Sequence, residues 1–460
     1  MSQDAISDVT LFTNPNDCDI EVVEDKPLKL ISPFTGYAGA ISSAIGVGIF
    51  ALSQAYQKGS VVVAMVLCAI CYVLSICSSQ MFLEAAARYW YKKRGNFVLP
   101  DDRYATTSML CRDLPRHRAV GRVLSICFQI CNFIYLFATL LETAFAATQT
   151  FASDIPLKDK NGHTYHCGDP AASDFSPKCN DVFWGLLIGL TCLLMFITFF
   201  DLRKVGWLFN IFIVWRWFVM FIVIGFCSYA IGHNGAAKDV AWTKTDIAGF
   251  AYLAPALVFA FIWQASIGVV YEPIRDKPKN LPIVFTALTI TMTFLYALIG
   301  LLGVIAFGAA SDAVLVNNFH SIKMGNNFVR FLAQCAILYP PFSYLSTCPL
   351  IAQPLATQVL EWFPERCRNK KGYIMSVRAL CVWVPAIIAG FYRHFNIIVQ
   401  ISGIGSYLIM LLFPPIMLLL SNDLRDKTKC VYWRWWISLP FQILLIVAGV
   451  FFPIVTLCYM

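Results

Sequence analysis

The residues best placed to do chemistry are two glycines two positions apart, in Ala44-Ile45-Gly46-Val47-Gly48. They sit inside an apolar run from about residue 33 to about residue 56. An unsatisfied backbone group in hydrocarbon costs several kcal/mol. A helix weakened by glycine at that depth survives only where protein or a water-filled cavity covers it. Unwinding here would free N–H donors at the start of a second half-helix, and those donors with the helix dipole favour a carboxylate. Facing carbonyls can accept from an ammonium group. A zwitterion presents both charges, so the pattern suits an α-amino acid without a charged side chain at the site. The plainer alternative is a packing notch between helices.

A second interruption should answer the first, because inverted-repeat transporters break matching helices in their two halves. The stretch 247–270 holds Gly249, Pro255 and Gly268, with Ala260 between Phe259 and Phe261. The carbonyls near Phe259–Phe261 would complete the substrate cradle, although core packing also accounts for the two rings. Further on, Pro340, Pro341 and Pro349 flank the hydroxyls of Ser343, Ser346 and Thr347. Proline frees a carbonyl one turn back, and carbonyls with hydroxyls are oxygen ligands for a small cation or an ammonium group. Gly403 to Ser406 and Pro414-Pro415 mark another irregular stretch. Arg216, in FIVWRWFVM, lies where a charge costs roughly 2.5 kcal/mol or more. It can pair inside the bundle, snorkel along Trp215 and Trp217, or act as a fixed cation in place of sodium. Glu142, in LLETAFA, reads as an interfacial residue, with a proton site or a partner for a cationic substrate as alternatives.

The elements that position these residues are membrane spans. Of 460 residues, 58% are hydrophobic and 13% charged, about half the charge of a soluble domain. The sequence predicts an all-α polytopic membrane protein. Eleven spans are expected, at about 33–56, 60–86, 121–150, 182–200, 206–231, 247–270, 282–308, 325–353, 374–391, 397–420 and 435–459. Spans 1–5 (33–231) and 6–10 (247–420) form two repeats, and span 11 is extra. Residues 1–30 read as an acidic tail, disordered or loosely docked. MSQDAISDV is no secretory leader, so the first span must direct insertion. Basic clusters such as RYWYKKRGN and ERCRNKKGY put the N-terminus in the cytosol and the C-terminus outside or in a lumen. The net charge of +8 therefore sets topology and does not signal nucleic acid. Cys167 and Cys179 share one polar loop on the non-cytosolic side, where a disulfide can form.

All six histidines fall in loops, and neither HExxH nor a phosphate-binding GxxxxGK[ST] is present. A hydrolase, a haem protein or an ATP-driven pump is not indicated. No cofactor and no certain metal site is expected, beyond Na+ or H+ as a coupling ion. A secondary transporter working as a monomer in the bilayer leads. A non-transporting amino acid sensor and an ion channel remain open.

Four segments also carry a family resemblance. SAIGVGIFALSQA resembles the first-span motif of the amino acid/auxin permeases, and FAFIWQASIGVVYEPIRD their sixth span. STCPLIAQPL and GIGSYLIMLLFPP are similar to their eighth and tenth, in the same order. The resemblance implies the five-plus-five inverted fold of bacterial leucine-type transporters, broken helices 1 and 6, and symport of amino acids with sodium or protons. Two positions depart from the pattern. Val47 stands where a serine is common, and Ser43 where sodium-coupled members have asparagine. Thr347 matches a threonine linked to sodium in those members. The resemblance thus offers a sodium site of Ala44–Ile45 carbonyls with Ser43, Ser346 and Thr347, and leaves proton coupling as its competitor. It leaves open both the amino acid carried and whether the membrane is the plasma membrane or that of a vacuole or lysosome.

Overall fold

The computed structural model describes residues 32–95, 106–158, 164–165, 167, 170, 175–199, 206–243, 246–264, 274–322, 326–364, 370–427 and 438–459. The N-terminal tail and Gly268 lie outside the described residues, as does the side chain of Ser43.

Nine helices among the described residues are long and apolar enough to cross a membrane. They begin with Val61–Lys93, Arg118–Asp154, Pro177–Phe199 and Ile211–Asn234, and continue with Lys279–Ala310 and Asn327–Glu361. Lys371–Phe391, Phe395–Leu420 and Leu439–Tyr459 complete the set. Their apolar windows differ in burial. The window in Asn327–Glu361 is 78% buried and that in Phe395–Leu420 is 67% buried, whereas Pro177–Phe199 and Leu439–Tyr459 bury only 28%. The first two therefore form the centre and the last two the periphery. Side chains such as Val123, Phe221, Phe294 and Leu457 stand exposed on the outer helices, as a lipid-facing surface requires.

Of the remaining two expected spans, the first is interrupted and the sixth is described only as far as Gln264. Helix α1 (Pro33–Ala44) starts on Ser32, whose Oγ accepts from the Thr35 N–H at 3.2 Å. It stops at Ile45 (φ −85°, ψ 84°), and Gly46 is extended (φ −90°, ψ −159°). The chain resumes as a 3-10 turn over Val47–Ala51 and then α2 (Leu52–Gly59). The break thus falls at Ile45–Gly46, while Gly48 is already inside the second half. Helix α3 (Val61–Arg94), the short α4 (Thr107–Asp113) and the long α5 (Arg118–Asp154) follow, then α6 (Pro177–Phe199) and α7 (Gly206–Asn234).

Helix α8 (Ile247–Phe261) is capped by Asp246, whose carboxylate accepts from the Gly249 N–H at 2.6 Å. It ends at Ile262 (φ −81°, ψ 119°). Phe259, Ala260 and Phe261 therefore form its last helical turn, and the chain leaves the helix just after them. Polar side chains cover this end: Ser75 Oγ donates to the Phe261 carbonyl at 3.4 Å and accepts from Trp263 Nε1 at 3.1 Å and from Gln264 Nε2 at 3.2 Å.

Helix α9 (Lys277–Phe307) leads to a further interrupted span, α10 (Asn327–Ile337) and α11 (Tyr339–Glu361) meeting at Leu338. Pro340 and Pro341 lack the N–H that continuity across Leu338 would use. Helix α12 (Lys371–Phe391) follows. The tenth span runs as α13 (Phe395–Tyr407), a π-helical turn over Leu408–Leu412, and α14 (Phe413–Leu420). Pro414 and Pro415 remove two donors there, and the wider turn re-forms the ladder around the gap. Helix α15 (Leu439–Tyr459) closes the chain.

One departure from all-α structure lies in the loop after α5. Leu157–Lys158 pairs antiparallel with Thr164–Tyr165, and Cys167 is joined to Cys179 by a disulfide. Within the bundle α5 packs against α11 and α13, and α8 against α2 and α13. This sets the middle of α5 opposite the break in the first span and the end of α8.

Candidate functional site

The break in the first span opens on a cavity of about 30 Å³. Ala44, Gly46, Val47, Gly48 and Ile49 line it from that span, and Phe259, Ala260 and Ile262 from the end of α8. Tyr135, Thr139, Glu142 and Thr143 face it from α5, Tyr296 from α9, and Thr347 and Ile351 from α11. Its volume admits water-sized contents, so a whole amino acid requires the walls to part.

No side chain caps the second half-helix at Gly46. The N–H groups at the start of Val47–Ala51 consequently stand as donors beside the cavity. The two glycines do different work. A methyl group on Gly48 would sit 3.0 Å from the Phe259 ring and 3.6 Å from Glu142 Oε1. A methyl group on Gly46 would meet nothing within 4 Å, and its φ is one that any residue adopts. Close packing thus demands glycine at 48 only, although the sequence treats both positions alike.

The carbonyls at the end of α1 are already engaged. Arg216 Nη1 donates to Ile41 O at 3.2 Å, Tyr296 Oη to Ala44 O at 3.2 Å, and Tyr339 Oη to Ile45 O at 3.2 Å. The sequence reading assigns these carbonyls to the substrate's ammonium. The protein's own donors occupy them instead, and Ile45 acts through its carbonyl without lining the cavity. Phe261 likewise stands behind the cavity wall, edge-on to Tyr296 with ring centroids 5.3 Å apart. Phe259 and Ala260 keep their place in the wall.

Arg216 is 2% exposed. Its Nη2 donates to Thr347 Oγ1 at 2.9 Å and to Ser346 Oγ at 3.2 Å, and its guanidinium lies 5.9 Å from the centre of the Tyr339 ring. It therefore does not snorkel along Trp215 and Trp217; it reaches inward to the first span. Of the oxygens proposed as cation ligands, the hydroxyls of Ser346 and Thr347 converge on this guanidinium beside the Ile41 carbonyl, while the Ala44 and Ile45 carbonyls go to Tyr296 and Tyr339. A positive charge there needs no ion.

Glu142 differs most from the sequence reading. It is not interfacial: it is 0% exposed and lines the cavity. Neither carboxylate oxygen has a hydrogen-bond partner among the described residues. The nearby hydroxyls explain why. Thr139 Oγ1 donates to Tyr135 O at 2.7 Å and Thr143 Oγ1 to Thr139 O at 2.7 Å, so both protons are spent on the helix itself. A carboxylate at membrane depth marks function more often than structure. The sequence marks it as an acid in an apolar helix, and its burial removes the interfacial reading while leaving the other two. Tyr296 and Tyr339 gave no such signal, because their partners lie 252 and 294 residues away.

A family model described as transmembrane amino acid transporter protein matches residues 29–460. Transmembrane protein 104 of Homo sapiens is 24% identical over 241 residues, which is 50% of this chain and 46% of that protein. The same protein of Pongo abelii matches with the same figures. The chain thus spans about half the length of the curated relatives it matches. The chain is a multi-pass membrane protein and belongs to the transmembrane amino acid transporter family.

Proposed function

We propose that this chain is a secondary transporter that carries amino acids across a membrane by alternating access, driven by a proton gradient. The observation that carries this reading is the uncapped start of Val47–Ala51 facing a cavity shared with the end of α8. Donors there suit a carboxylate. The last turn of α8 brings Phe259 and Ala260 to the same wall. Ile45–Gly46 is the joint about which the two halves of the first span can tilt while α5 stays continuous.

Protons are favoured over sodium because Arg216 holds the oxygen cluster that a sodium ion would need. The eleven-span, five-plus-five architecture, with an N-terminus on the side of the basic loops, belongs to the same reading. The protein acts as a monomer.

Purified protein in liposomes, offered radiolabelled L-amino acids, tests the reading. Saturable, stereoselective uptake that responds to a pH gradient and ignores sodium is expected. Sodium-dependent uptake would overturn the coupling. Binding without flux would make the protein a sensor, and non-saturable flux a channel.

A further inference from the structure

The cavity holds one ionisable carboxylate, and its two oxygens are unpartnered among the described residues. We propose that Glu142 is the acceptor for the substrate's ammonium group, and that a proton and the amino acid compete for it. The transporter would then exchange protons for amino acids. This rests on the transporter reading above.

Three observations lead here. First, the acceptors that the broken first span ought to offer an ammonium group, at Ile41, Ala44 and Ile45, are taken by Arg216, Tyr296 and Tyr339. Glu142 is the strongest acceptor left in the cavity wall. Second, Glu142 Oε1 lies 3.6 Å from the position a Gly48 methyl would occupy, alongside the donors that suit a carboxylate. The two charges of an α-amino acid are separated by a single carbon, so one ligand can satisfy both sets. Third, a buried carboxylate without donors must be neutralised. A proton does this, and so does an ammonium group, but they use the same oxygens. Binding one cation displaces the other.

The titratable groups facing Glu142 do not offer a rival. They are Tyr135 on its own helix, Tyr296 on α9, and Cys348 with Tyr344 behind it on α11. The described parts of the first span and of α8 contribute only apolar side chains and glycine to the cavity wall, and the buried Ser402 and Ser406 of α13 donate their hydroxyls to carbonyls of their own helix. Arg216 reaches the wall through Thr347.

The test is a proton count at equilibrium. Purified full-length protein in weakly buffered detergent, at mildly acidic pH, receives a mixture of neutral L-amino acids while a pH dye is read. About one proton released per amino acid bound is expected, with affinity falling on acidification. Glu142→Gln is expected to weaken binding more than about thirtyfold and to abolish the pH dependence of what remains. Proton uptake on binding would mean co-binding and overturn the proposal, as would a Glu142→Gln protein with unaltered affinity and pH profile. L-lysine bound in place of the neutral mixture, with the α-amine dispensable, would assign Glu142 to a cationic side chain and also overturn it. Should Glu142→Gln fail to fold, the wild-type proton count decides alone. No saturable binding by wild type would sink the transporter reading itself, an outcome distinct from binding with the wrong proton sign.

Discussion

Two glutamates are sealed inside this protein to the same degree, and they are opposites. Glu84 on α3 is 1% exposed and Glu142 on α5 is 0% exposed. Glu84 Oε1 accepts from Arg88 Nε at 3.0 Å, one turn along the same helix. Arg88 also donates from Nη1 to Leu418 O at 2.9 Å, Ser421 O at 3.0 Å and Ser421 Oγ at 3.1 Å. Those carbonyls end α14, where a cation is favoured. The pair therefore ties α3 to the last turn of the tenth span. Glu142 has no such arginine among the described residues. Burial alone thus does not separate structure from function; the presence of a permanent partner does. A paired carboxylate ties α3 to the end of α14, and an unpaired one waits for a ligand.

The largest expected effect comes from breaking the Glu84–Arg88 pair. Arg88→Met leaves Glu84 buried and uncompensated, and should cost about 3–5 kcal/mol of stability. Thermal unfolding in detergent would show it. Adding Glu84→Gln to Arg88→Met should restore much of the loss. A full-strength melt for Arg88→Met would mean that the pair carries no structural tie, and the contrast with Glu142 would collapse.

Next comes the wall between Gly48 and Glu142. Gly48→Leu drives side-chain atoms into Phe259 and across Glu142, since the first carbon alone is 3.0 Å from that ring. Uptake should fall by more than about tenfold, which is about 1.4 kcal/mol, with unaltered surface expression. Gly46→Ala should fall by less than threefold, because its methyl has open space. Equal loss at both positions would show that backbone freedom, and not the space beside Glu142, makes the glycines necessary.

Arg216 sharpens the contrast from a third direction, as a buried cation held by oxygens. Arg216→Ala releases Ser346, Thr347 and the Ile41 carbonyl together. Uptake is expected to drop several-fold and to acquire a dependence on sodium, measured with choline as the replacement cation. A drop with no response to sodium would mean the cluster is shaped for a guanidinium alone.

Local chemistry was legible in the sequence, and facing was not. The break in the first span follows from glycines at depth, which any covering cavity must accommodate. The end of α8 fell just beyond Phe261 because Gly249 and Pro255 are absorbed within the helix: Gly249 at the capped first turn, where its N–H goes to Asp246, and Pro255 among buried side chains. Glu142 was misplaced because α5 runs 37 residues, well beyond the ~20 that a bilayer needs. Position along such a helix does not fix depth, and no local pattern tells which neighbours it meets. The hydroxyls of Tyr296 and Tyr339 reach the first span across most of the chain, and composition carries no trace of that.

The smallest expected effect lies farthest from the cavity. The Cys167–Cys179 disulfide closes a short loop between α5 and α6, beside the two-stranded ladder. Constraining a loop of this length restricts the unfolded chain by about 3 kcal/mol in the entropy model. That constraint acts on the loop and the first turn of α6, since Cys179 is the third residue of that helix. None of the cavity walls comes from this segment. Cys167→Ser with Cys179→Ser should therefore lower the melting temperature while uptake at low temperature changes less than twofold. A large loss of uptake with an intact melt would place the loop in the substrate's path, and the region outside the bundle could no longer be treated as structural.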